Sequence, residues 1–204
     1  MVNQFVASVQ KNYNLVKCCR EKLKNKSFVD IIQSEVSSRL SELVKKLGVI
    51  QKGNFPLTSG GYSDWKFIVE VGLESKEFTN ILGEKGAALL YSIENENGLR
   101  SLATVDTGGT LFLNACLHYL GQRDYVVVKK NNEFRGEIQK KPYTIFEDVI
   151  TQGYSVKRVA DVISYHGGHV GEAIAILDRE EGGREFLEKY GINVYSILKK
   201  GGVL

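Results

Sequence analysis

Cysteine, proline and methionine are scarce in this chain, at three, two and one among 204 residues. Cys18 and Cys19 are adjacent, and Cys116 lies in an apolar helix-like stretch. They make no disulfide framework, and no CxxC or Cys/His spacing suggests zinc. A reducing, cytoplasmic setting is the simplest expectation. Long apolar runs are missing too. Nowhere do about 18 apolar residues follow one another. The first residues carry no leader-like apolar core, so neither a span nor a signal peptide is expected. Charge of one sign is not in large excess. A net charge of +3 suits an anionic small ligand and is too mild to argue for nucleic acid. Internal repeats and low-complexity tracts are also absent.

What is present is ordinary for a globular protein. The chain is 43% hydrophobic and 25% charged, which excludes the disordered and membrane classes. Its length holds one domain with a full core and room for a small appendage.

One stretch organises the rest: Tyr143 to Ser155, YTIFEDVITQGYS. Tyr143 to Phe146 reads as a buried strand. Glu147 and Asp148 are adjacent carboxylates at its end. Thr151 to Ser155 is a polar turn containing Gly153. A helix follows, because Val156, Val159, Ala160 and Ile163 share one face, and Gly167 and Gly168 stop it. A turn feeding a helix N-terminus presents free N–H groups that favour a phosphate. The hydroxyls of Thr151 and Ser155 add donors. The two acids repel phosphate but accept hydrogen bonds from ribose hydroxyls. That order suits a sugar 5-phosphate. The simpler reading is a strand ending in acids, with Ser155 as an N-cap.

Elsewhere, Ile32, Val36, Leu40, Leu43, Val44 and Leu47 form an apolar helical stripe ended by Gly48. Pro56 and Gly60-Gly61 frame a turn, and Trp65 to Val71 reads as a strand. Lys76 to Ile93 is an amphipathic helix whose Gly83, Gly86, Ala87 and Ala88 suit close packing on a sheet. Ser101 to Val105 is a strand, Asp106 to Thr110 a turn, Leu111 to Leu120 a helix and Tyr125 to Val128 a strand. This alternation predicts an α/β fold with a mostly parallel central sheet flanked by helices. Lys129 to Pro142 is polar, with five Lys or Arg and two Glu. A loop of that length in a compact domain suits a lid, and a solvated hairpin is the plainer alternative. Residues 1–50 carry nine Lys or Arg against four Asp or Glu. Within them, residues 1–35 read as a helical extension or hood. Residues 11–26 give only a weak motive for a nucleic-acid module, because basic faces are usually just solvated. His118, His166 and His169 look structural.

FEDVITQGYS resembles the phosphoribosyl-pyrophosphate signature of the type I phosphoribosyltransferases. The wider chain is similar to the orotate phosphoribosyltransferase group within them. LGVIQKGNFPLTSGGYS (Leu47 to Ser63) is similar to the group's N-terminal strand motif. TVDTGGT (Thr104 to Thr110) is similar to its pyrophosphate loop, and ILDREEGGREFLEKYGINVYSIL (Ile176 to Leu198) to its C-terminal unit.

The resemblance implies a Rossmann-like catalytic domain over residues 36–204 behind the extension. It implies transfer of phosphoribosyl from phosphoribosyl pyrophosphate to orotate in pyrimidine synthesis, with Mg²⁺ held mainly by substrate. A cytoplasmic homodimer follows, since the mobile loop acts across subunits. Thr107, Gly108 and Gly109 would hold pyrophosphate, Glu147 and Asp148 the ribose. Thr151, Gln152, Gly153, Tyr154 and Ser155 would hold the 5-phosphate. Lys129, Lys130 and Arg135 are the loop's cations, acting with Asp148 in catalysis. Arg179, Thr151 and Phe67 would face orotate; Tyr62, Trp65 and Lys66 are further candidates. The chain departs from the pattern at Thr58, Asp106, Glu133, Arg135, Gln152 and Tyr154. Glu133 reverses a charge where the leaving group needs a cation. Those departures keep two alternatives open: a relative acting on another base, or a non-catalytic phosphoribosyl-pyrophosphate-binding regulator.

Overall fold

The computed structural model describes residues 39–56 and 60–204. The expected helical extension over residues 1–35 lies outside them, as do Ile32, Val36 and Thr58. The described part of the first helix covers residues 39–47, and it buries Leu40, Leu43 and Val44. It ends at Gly48, whose φ of 68° is a left-handed conformation open to glycine.

Two sheets follow. β1 (Ile50–Pro56) and β2 (Tyr62–Phe67) form an antiparallel hairpin, with a bulge between Lys52 and Phe55. The main sheet has six strands in the order β5-β4-β3-β6-β7-β8. They are β3 (Ser101–Val105), β4 (Tyr125–Val128), β5 (Phe134–Arg135), β6 (Pro142–Ile150), β7 (His169–Asp178) and β8 (Asn193–Lys199). All neighbours pair parallel except β4 with β5. The α/β class with a mostly parallel sheet is therefore as expected.

The central strands are near-continuous apolar runs, because helices cover both faces of the sheet. Side chains alternate between those faces. Leu102, Phe146, Ile174 and Ile176 pack in one core with helices Lys76–Asn97 and Gly108–Leu120. Ala103, Ile145, Ala173 and Ala175 pack in the other with Val156, Val159, Ala160 and Ile163 of helix Tyr154–Tyr165. That helical stripe is as the periodicity predicts.

Several boundaries differ from expectation. β6 runs on through Glu147 and Asp148 to Ile150, so the acids lie within the strand rather than after it. The strand expected to reach Val71 stops at Phe67, and Val69–Leu73 is a short helix. Helix Gly108–Leu120 starts earlier than expected and takes in both glycines of the turn. Gly83 and Gly86 pack against the neighbouring helix rather than a sheet. A methyl on Gly83 would run into the Ala115 carbonyl, and one on Gly86 would meet the Phe112 ring at 2.7 Å.

From β3 the chain crosses to β4 on one side; from β6 it crosses to β7 on the other. A crevice therefore opens at the C-terminal ends of β3 and β6, where connections diverge. Among the described residues, no helix is long and apolar enough to cross a membrane.

Candidate active site

The crevice is a cavity of about 550 Å³. Several parts of the chain meet around it: the hairpin β1–β2, the C-terminal ends of β3 and β6, Lys130, the turn and helix start at residues 151–158, and the end of β7. Of the residues expected at a site, Trp65, Lys66, Phe67, Lys130, Glu147, Asp148, Thr151, Gly153, Tyr154, Ser155 and Arg179 line it. Thr107, Gly108, Gly109, Lys129, Arg135 and Gln152 do not.

Helix Tyr154–Tyr165 opens onto the cavity. Its N-cap is Gly153, at φ 80°, and no side chain caps it. Ser155 is inside the helix and is not the cap. The first N–H groups of a helix lack intrahelical acceptors, so this end presents unpaired donors and the positive end of a dipole. Tyr154 does not plug the turn. The residue is 56% exposed, and its ring packs edge-on against Phe186, with centroids 5.0 Å apart. The turn is held from behind by Gly183. A methyl there would collide with the Thr151 carbonyl and come within 3.0 Å of the Gly153 nitrogen.

Helix Gly108–Leu120 also starts without a side-chain cap, just after Asp106 of the cavity wall, but its own first residues stand outside the lining. Its glycines are needed for packing against β6. A methyl on Gly108 would overlap the Asp148 carboxylate, and one on Gly109 would collide with the Phe146 carbonyl. The room that these glycines leave is taken by β6, and this contact seats Asp148 beside the helix start. The Asp106–Thr107 peptide preceding it is cis.

The two acids differ. Glu147 is buried, and burial, reinforced by the neighbouring Asp148 charge, pushes its carboxyl well above the usual carboxylate range. Its Oε1 accepts from the Asp148 N–H at 3.1 Å. Asp148 is more open and faces the cavity.

Arg179 is 6% exposed at the end of β7. Its backbone N–H donates to the Ile150 carbonyl at 2.9 Å, tying the ends of β6 and β7 together. Nε donates to Glu181 Oε1 at 2.9 Å, and Nη2 to Ser63 Oγ at 2.9 Å. The loop behind it is braced by buried Asp178, which accepts from the Glu180 N–H and pairs with Arg184 at 3.2 Å.

Lys129 to Pro142 opens as a short hairpin, and residues 136–141 after it belong to no strand. Phe134 and Arg135 pair with Val128 and Val127, and the Lys129 N–H donates to the Glu133 carbonyl at 2.8 Å. Lys129 Nζ meets Glu133 Oε2 at 2.8 Å. The charge reversal noted at Glu133 thus has a local partner. Arg135 is exposed on the outer strand.

Sequence reasoning missed two residues. Ser63 positions Arg179 from a strand more than a hundred residues away. Arg158 lines the cavity and reaches back to the hairpin. The only signal for Arg158 was a cation among the polar positions of an amphipathic helix. Among the described residues, no group of three or more His, Cys, Asp or Glu gathers as a metal cage.

No family model matches the chain. Curated relatives do. An orotate phosphoribosyltransferase from Thermoplasma volcanium is 30% identical over 167 residues, covering 78% of this chain and 96% of its own. One from Methanocella arvoryzae is 29% identical over 180 residues, covering 83% and 98%. The crystal structure of orotate phosphoribosyltransferase from Aeropyrum pernix superposes with a TM-score of 0.68 at 24% identity, over 81% of this chain and 96% of that one.

Proposed function

We propose that this chain, which belongs to the orotate phosphoribosyltransferase family, transfers the phosphoribosyl group of phosphoribosyl pyrophosphate to orotate, releasing pyrophosphate and giving orotidine 5-monophosphate for pyrimidine synthesis. One observation carries the reading. A single cavity joins an uncapped helix N-terminus, two carboxylates and a buried arginine with a planar fork. Those are the groups needed for a phosphate, ribose hydroxyls and a carboxylated base.

In the reaction the bond from ribose C1 to the pyrophosphate oxygen breaks, and a bond from C1 to a ring nitrogen of orotate forms. Positive charge grows on the ribose and negative charge on the leaving group. No covalent enzyme intermediate is needed, so positioning and electrostatics supply the catalysis. The amides of Gly153 to Ser155, with Thr151 and Gln152, hold the 5-phosphate. Glu147 and Asp148 hold the ribose hydroxyls. Thr107, Gly108 and Gly109 present amides to the pyrophosphate. Lys130 faces the cavity, and Lys129 and Arg135 stand on the hairpin beside it. Arg179, with Phe67 and Thr151, receives the base.

Asp106 and Asp148 line the cavity. One or two carboxylates plus substrate phosphates form a donor set that suits Mg²⁺, which would screen the departing pyrophosphate. A homodimer and a cytoplasmic setting belong to the same reading.

A second reading has one observation in its favour. Lys129 is engaged by Glu133, as would suit a sensor of phosphoribosyl pyrophosphate that does not turn over. Orotate consumption with phosphoribosyl pyrophosphate and Mg²⁺ tests both. Turnover abolished by Glu147→Ala with Asp148→Ala supports the transferase. Tight binding without turnover on a panel of purine and pyrimidine bases supports the sensor. Turnover on a base other than orotate would redirect the assignment within the fold.

A further inference from the structure

Arg158 has no part in the chemistry above, yet it lines the same cavity and is bonded to the segment that carries Lys129 and Lys130. It lies one helical turn after Tyr154 and Ser155, on the face turned toward the cavity. Its Nη1 donates to the Lys129 carbonyl and lies 3.4 Å from Asn132 Oδ1. The same carbonyl accepts from the Asn132 N–H at 3.1 Å. The guanidinium therefore closes the tight turn that begins the hairpin. The cavity that Arg158 lines also holds Glu147 and Lys130, and a shallower groove lies on its other side, lined by Asn132, Tyr165 and His166.

We propose that Arg158 is a positioning residue, which clamps the root of the Lys129–Pro142 hairpin to the helix that starts at the phosphate-binding turn. The proposal rests on the transferase reading. One rigid helical turn then connects two things: the amides that grip the 5-phosphate, and the segment that brings Lys129 and Lys130 to the leaving group. Arginine suits this place because a long side chain carries Nη1, with its two N–H groups, to both the Lys129 carbonyl and Asn132 Oδ1. Burial pulls its pKa below the ordinary guanidinium value, and the nearby Glu147 opposes that shift only in part. With Nη1 committed to the hairpin, the side chain acts on catalysis through Lys129 and Lys130 rather than by touching substrate.

Steady-state kinetics of the full chain with orotate, phosphoribosyl pyrophosphate and Mg²⁺ test this, together with amide hydrogen exchange over residues 129–135. Arg158→Met is expected to lower kcat about 10- to 100-fold, the scale of a small misplacement of catalytic groups, with the phosphoribosyl pyrophosphate KM changed less than about 3-fold. Exchange in the hairpin root should quicken, and Arg158→Lys should recover part of kcat. An unchanged kcat with a raised KM would make Arg158 a substrate ligand and overturn the proposal. Unchanged exchange at the hairpin root would overturn it equally. Because exchange is read without turnover, a wild-type chain inactive on every base would defeat the transferase reading while leaving the clamp to be judged by exchange alone. If Arg158→Met does not fold, Arg158→Lys and Arg158→Gln carry both readouts.

Discussion

The guanidinium of Arg179 lies over the ring of Trp65, its central carbon 3.8 Å from the ring centroid. Glu181 takes Nε and Ser63 takes Nη2, so the fork is held on three sides and Nη1 is left to meet an incoming carboxylate. A lysine reproduces neither the stack nor the two fixed bonds, to Glu181 and Ser63, that aim Nη1. Arg179→Lys should raise the orotate KM about 10- to 100-fold and leave the phosphoribosyl pyrophosphate KM near wild type. Trp65→Ala should do the same more weakly, by about 3- to 10-fold. Initial-rate measurements with each substrate varied in turn check this. An equal loss for both substrates would argue that Arg179 only holds the fold.

Gly183 sets the shape of the phosphate turn from outside it. A methyl there collides with the Thr151 carbonyl and reaches 2.7 Å from Ile150 Cγ2. Gly183→Ala should push residues 151–153 out of register with the helix start. Calorimetry should show phosphoribosyl pyrophosphate binding weakened at least about 10-fold, and urea unfolding a loss of about 1–3 kcal/mol. Binding at wild-type strength would show that the turn is not the anion's seat.

These two residues also mark what a sequence can disclose. The strand, turn and helix of Tyr143 to Tyr165 were legible because their signals are local: an apolar run, a glycine, then apolar residues at helical spacing. The wider βαβ alternation was legible for the same reason. The identity of the C-terminal unit came from its resemblance to a family rather than from periodicity. What was not legible depends on contacts across the chain. Nothing near Gly183 says that it abuts Thr151, and nothing near Arg158 says that it reaches Lys129. Local ambiguity also misled. WKFIVEV alternates well enough for a strand, yet the chain turns at Ile68 and winds Val69 into a helix, where Val69 and Gly72 are buried.

The pair Lys129–Glu133 is a test of the hairpin's chemistry. Both groups are near the surface, and Lys129, with help from Asn131, holds the Glu133 carboxyl below its ordinary range. Such an exposed pair contributes little to stability. Glu133→Gln should leave the melting temperature unchanged and release Lys129 toward the leaving group. A rise in kcat of about two- to five-fold is expected, shrinking as salt is added. A fall in kcat would mean that Glu133 holds Lys129 in its working position.

Glu147 makes stability depend on pH in an unusual direction for a carboxylate. Burial raises its folded pKa well above the unfolded value. Between the two, the folded state holds a proton that the unfolded state has released, so unfolding becomes easier as pH rises through that window. Below the unfolded pKa both states are protonated and the penalty vanishes. Urea unfolding of the ligand-free protein should show stability falling from about pH 4 upward from this group, and Glu147→Gln should flatten that slope. Identical slopes in the two proteins would show that Glu147 ionises normally in the folded chain.

At the opposite end of the sheet from the cavity, Arg100 and Glu172 form a buried, two-pronged ion pair, with Nε–Oε2 and Nη2–Oε1 both 2.9 Å. Thr144 adds a third contact to Glu172 at 3.4 Å. The pair joins the start of β3 to β7 and touches no group of the site. Glu172→Gln leaves a buried guanidinium uncompensated and should cost about 3–5 kcal/mol in urea unfolding, whereas replacing both partners with apolar residues should cost less. Neither change should move kcat or either KM at temperatures where the variants stay folded. If kinetics changed along with stability, the two ends of the sheet would be mechanically coupled. If they did not, the N-terminal ends of the strands serve only to hold the scaffold, and the chemistry is confined to the crevice where β3 and β6 part.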